Sequence, residues 1–145
     1  MRRALTIWIL LLTTAAAAKG PETLEQLKAR ADASSRSRRP LLYAEVVQRD
    51  IEEANKLFTD GDAERAHATV KDAVAYAEKS RDALRDQPKK IKDTEIALRR
   101  AEHRLNDIRR TLALEDQPEV QAAVEQIAAV RKQILDQMFA PQHKK

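Results

Sequence analysis

A 145-residue chain without a cysteine can carry no disulfide, no thiolate metal site and no cysteine nucleophile. Only 3% of its residues are aromatic while 34% are charged, so its core must be aliphatic and the expected fold is all-α. The formal charge of +4, from 27 basic and 23 acidic residues, lies too near balance to argue for a nucleic-acid partner.

Arg2 and Arg3 precede the apolar run Ala4 to Leu12, and Thr13, Thr14 and Ala15 to Ala18 follow. A short basic region, an apolar stretch and small residues, in that order, predict a secretory signal peptide cut after Ala18. Its uncharged length is about 15 residues, against the roughly 20 of a spanning helix, which favours cleavage over a retained anchor. No cysteine stands at the cut to take a lipid, so the expected destination is secreted or periplasmic. Removing residues 1–18 leaves 127 residues, 25 of them basic and 23 acidic, enough for one compact domain.

Proline and glycine then divide the chain. Pro21, Pro40, Pro88, Pro118 and Pro141, with Gly20 and Gly61, all fall outside the periodic stretches and read as helix starts and stops. Residues 19–39 hold a short helical segment, with Leu24, Leu27 and Ala31 at helical spacing, and then a polar basic linker, Ser34 to Arg39. From 40 to 140 the pattern predicts a helical bundle, with helices at about 40–59, 62–85, 89–114 and 118–139. The first carries Ala44, Val47, Ile51, Ala54 and Phe58 on one stripe, the second Ala63, Ala66, Val70, Ala73, Ala77 and Leu84. Asp60-Gly61-Asp62 between them is a tight turn with Asp62 as the expected N-cap. Ile91, Thr94, Leu98, Ala101, Leu105, Ile108 and Leu112 keep a 3-4 alternation over three heptads, the spacing of a bundle core and of a coiled-coil seam alike. Val120, Ala123, Val124, Ile127, Val130, Ile134 and Met138 form the last apolar face, and Asp116 with Glu119 suggests a capping-box-like start. Residues 141–145 are a basic tail.

Short connections predict that each helix packs antiparallel to its sequence neighbours. Charge adds an expectation. Residues 89–112 hold eight basic and four acidic residues, whereas 41–60 and 115–139 each hold five acidic and two basic ones. The basic helix should therefore lie beside both acidic helices.

The segment from Ala54 to Ala73 resembles a tetratricopeptide-type hairpin: Ala54 and Leu57 precede Gly61-Asp62, and Ala66, Val70 and Ala73 follow at that motif's spacing. Small residues at such a crossing let two helices approach closely. The segment departs from the motif at Asp50 and Glu53, where the repeat has large apolar residues, and at Glu78, where it ends in proline. From Arg39 to Leu84 the run Pro-Leu-Leu-Tyr-Ala-Glu, then Ala54, then Gly61-Asp62 and an Ala-rich second helix is also similar to uncharacterised helical hairpins of bacterial envelope proteins. That resemblance implies an envelope location and a helical hairpin, and no catalytic residue.

The chemistry-bearing residues form no catalytic pattern. Glu64 and His67 have the Glu-x-x-His spacing of metal-binding bundles, but at His103 the carboxylate is adjacent, at Glu102, and position 100 is Arg. Ser34, Ser35, Ser37 and Ser80 lie in no nucleophile elbow, and Gly61 alone makes no phosphate loop. No metal, cofactor or small-molecule substrate is expected, with a metal-binding helical bundle as the second alternative to the reading below. Arg36, Arg38 and Arg39 in the linker, with Arg99, Arg100, Arg109 and Arg110 on the basic helix, are candidates for contact with an anionic membrane or wall surface. The sequence thus reads as an exported, non-enzymatic structural or protein-interaction module that pairs with itself or with another protein.

Overall fold

The computed structural model describes residues 20–140. The expected signal segment and its cut after Ala18 lie outside the described residues, as do Pro141 and the basic tail. Five helices follow in order: α1 (Leu24–Ala33), α2 (Arg39–Thr59), α3 (Ala63–Ala83), α4 (Ile91–Thr111), entered through a single 3-10 turn (Pro88–Lys90), and α5 (Gln117–Phe139). The chain is all-α, and no strand occurs among the described residues. None of these helices is long and apolar enough to cross a membrane.

Each terminus has a local cause. Thr23 and Gln26 open α1 with a reciprocal capping box. Pro40 and Pro118 stand in the first turns of α2 and α5, where a missing N–H leaves nothing unpaired. Gly61, at φ +82, closes α2 through the paired bonds Gly61 N–H to Phe58 O and Asp62 N–H to Leu57 O, the Schellman arrangement. Asp62 then caps α3, its carboxylate accepting from the Arg65 N–H. The capping box expected at α5 does not form: Asp116 has helical backbone angles, φ −88 and ψ −21, rather than the extended conformation of a capping residue, and its carboxylate meets His67.

The apolar stripes read from sequence turn inward. Ala44, Val47, Ile51 and Ala54 of α2 are buried, as are Ala66, Val70, Ala73 and Ala77 of α3. Leu98, Ala101, Leu105 and Ile108 of α4 and Val120, Ile127, Val130 and Ile134 of α5 complete one continuous core. α2 also buries Val46, Asp50 and Leu57, a wider face than one stripe, since it packs against α1, α3 and α4. α1 joins the bundle by laying Leu27 and Ala31 onto α2.

One topological expectation fails. α2 pairs with α3 and α4 with α5, but α3 and α4 are not packed side by side; the two hairpins stack so that α2 lies on α4 and α3 on α5. Both stacked pairs run parallel. Gln48 reaches the Ala97 carbonyl and Arg104 reaches Glu52, while His67 meets Asp116 and Arg81 meets Gln133. The link from α3 to α4 therefore crosses the end of the bundle on a diagonal. This places the basic α4 between the two acidic helices, as the charge pattern predicts and the connection lengths do not.

Candidate functional site

The most chemically unusual place in the molecule lies where α1 meets the α2/α3 hairpin. Residues one turn apart share a helix face, so burying Leu27 and Ala31 sets Lys28 at the edge of the same contact. Its ammonium donates to the Asp72 carboxylate on α3, lies 3.2 Å from Asp50 Oδ1 on α2 and stands 5.3 Å from the centroid of the Tyr76 ring. Asp50 is 0% exposed, and neither of its oxygens receives a well-aligned hydrogen bond, so Lys28 acts on it chiefly through charge. Burial pushes the Asp50 carboxyl up to about 7, even though Lys28 pulls the other way. For Lys28 burial disfavours the charge, but Asp72 and Asp50 outweigh it and hold the ammonium above its usual range. Lys79 adds a second cation 4.5 Å from the same Tyr76 ring. A groove of about 520 Å³ borders the seat, with Thr23, Glu25, Glu53 and Arg65 on its walls.

Three further polar clusters join helices. Between α2 and α4, Arg104 grips Glu52 with bonds of 2.7 and 3.0 Å. Between α4 and α5, Arg131 reaches Glu95 at 2.6 Å and Glu102 at 2.5 Å, and Glu95 is buried. Between α3 and α5, His67 has a carboxylate at each ring nitrogen, Asp116 at 2.9 Å and Glu119 at 3.4 Å. Its ring meets Phe58 edge-on at 5.1 Å.

The residues singled out by sequence divide accordingly. Ala54, Leu57, Ala66, Val70 and Ala73 are all buried where α2 and α3 close on the Gly61-Asp62 turn. Glu64 is exposed while His67 turns to α5, so the Glu-x-x-His pair does not converge. Among the described residues no group of three or more His, Asp or Glu is arranged to hold a metal ion.

The seven arginines expected at an anionic surface are not gathered into one patch. Arg39 turns back onto the carbonyls of Ser34 and Asp32, Arg99 pairs with Glu95, Arg109 with Asn106 and Arg110 with Asp107. Arg100 borders a groove between α2 and α4. The helical rise puts Arg109 and Arg110 about 30 Å from the linker arginines. At the linker end, however, Arg36 and Arg38 are exposed, and Arg38 shares a groove with Lys90. Because α5 runs parallel to α3, Phe139, 78% exposed, lies at this same end.

The Lys28 seat escaped the sequence reading, although Asp50 already stood out as a carboxylate where the tetratricopeptide pattern wants an apolar residue. Against protein-family models, curated proteins and solved structures, the chain finds no match.

Proposed function

We propose that this protein is an exported, non-enzymatic helical module that serves the bacterial envelope by structural or protein–protein interaction. One observation carries the reading: each cluster of titratable side chains described above is spent on joining helices. Lys28 ties α1 to α2 and α3, and Arg104, Arg131 and His67 each bridge a different pair of helices. The ties among α2, α3, α4 and α5 fix a rigid shape, which suits recognition; they are not arranged around a reacting atom. Cross-linking and pull-down of the tagged protein from the envelope fraction of its own host tests this. A single enriched protein is the expected result, and recovery only in the cytoplasmic fraction overturns it. Intact mass should show a mature chain that begins at Lys19.

A second reading, as a peripheral binder of anionic membrane or wall, draws support from the basic end of the bundle. Arg36 and Arg38 supply charge there and Phe139 an apolar side chain suited to an interface. Retention on anionic vesicles that falls steeply with salt, and that drops in Phe139→Ser, is its expected signature. Salt-insensitive or absent retention removes it.

A further inference from the structure

We propose that α1 is a releasable strap, and that the seat it covers between α2 and α3 is a docking site for a partner's amphipathic helix presenting lysine beside leucine, as Lys28 stands beside Leu27. This rests on the reading of the protein as an interaction module and names the kind of partner.

The chemistry of the seat is selective. Asp50 is completely buried and Asp72 stands opposite it across Lys28, with the Tyr76 ring beside the ammonium. Two carboxylates and an aromatic face at the edge of an apolar contact fit a primary ammonium on a long aliphatic stem. The charged groups around Asp50 are Lys28 and Glu25 of α1, Glu53 of α2, and Asp72 and Arg65 of α3. With Lys28 withdrawn the balance is acidic, so the vacated seat calls for a cation.

The hold of α1 is correspondingly light. It is ten residues long, shorter than the roughly 12–15 at which an isolated helix becomes marginally stable. It buries Leu27 and Ala31 fully and packs Leu24 partly against the core. Its further ties, Arg49 to the Glu22 carbonyl and Tyr43 to Asp32, are solvent-exposed, as are residues 35–38, which link it to α2. The remaining four helices hold one another without it: α2, α3, α4 and α5 each contact two others of that set. Opening α1 is therefore a local event, separable from global unfolding. While closed, α1 competes with any partner from within the same chain, and a partner's apparent affinity falls by the fraction of molecules that are shut.

The test uses the full chain and a fluorescent peptide of residues 21–36 as the probe. Leu27→Asp weakens the strap; Ala31→Glu, on the same face, serves if the first variant folds poorly. The peptide should bind the strap-weakened protein at least about tenfold more tightly than wild type, and a Lys28→Met peptide should lose about tenfold. Hydrogen exchange on the wild-type chain should show α1 amides opening well before those of α4. Absence of peptide binding to a variant that keeps its helical circular dichroism overturns the docking site. Equal binding of the two peptides overturns the ammonium requirement, and α1 exchange only in step with α4 overturns the strap. Any of these results leaves the envelope pull-down free to succeed, and an empty pull-down leaves peptide binding free to succeed.

Discussion

Asp50 is the residue whose chemistry, among the described residues, departs furthest from its ordinary state. Its carboxyl titrates at about 7 in the fold against 3.8 for the unperturbed group. Between those values the folded chain keeps a proton that the unfolded chain has released. The contribution of Asp50 to stability therefore falls as pH rises from about 4 to about 7, and is flat on either side. A shift of that size corresponds to roughly 4 kcal/mol. Asp50→Asn, which fixes the neutral form, should flatten this slope and raise the melting temperature at pH 8 more than at pH 5. Thermal unfolding at the two pH values checks it; an equal change at both refutes the assignment. Gly61 offers a contrasting case. A Cβ there would meet nothing within 4 Å, yet φ is +82, so Gly61→Ala should cost about 1 kcal/mol through backbone conformation alone, read as a lower denaturant midpoint.

At the scale of elements, the crossing of α2 and α3 depends on small side chains. Ala66 is 0% exposed, and Ala66→Leu should destabilise by about 1–3 kcal/mol through overpacking, measured by thermal melting. Arg131→Met should be costlier, about 3 kcal/mol, since it leaves buried Glu95 without its interhelical cation. Much of this level could be read from the residues in order. Pro40, Pro118, Gly61 and Asp62 mark helix ends because they act within a few residues of themselves. The stripe from Ile91 to Ile108 declares its buried face because helical periodicity is a local property. The Lys28–Asp50–Asp72 contact spans 44 residues, and no pattern along the chain joins its members. Asp116 shows the same limit in reverse: its sequence position suits a capping box, but its backbone is helical there and its carboxylate meets a histidine 49 residues away.

For the whole molecule, short loops gave a misleading guide to which helices touch. The link between α3 and α4 is long enough to cross a bundle end, so loop length left two packings open. Charge separated them, because only the diagonal crossing puts basic α4 against both α2 and α5. Parallel neighbours align their helix dipoles unfavourably, and the cross-links from Arg104 to Glu52 and from Lys71 to Glu119 offset that repulsion.

The stacking of like-directed helices has one more consequence. Hairpin laid on hairpin, each helix above its counterpart, is how extended helical arrays grow, layer by layer, and such arrays need polar closing layers to stay finite. Asp50 lies about half a turn around α2 from Gln48 and Glu52, which face α4, so α1 covers the side of the first hairpin away from the second. On this view α1 is half a layer that closes the outer side of the first hairpin to further stacking.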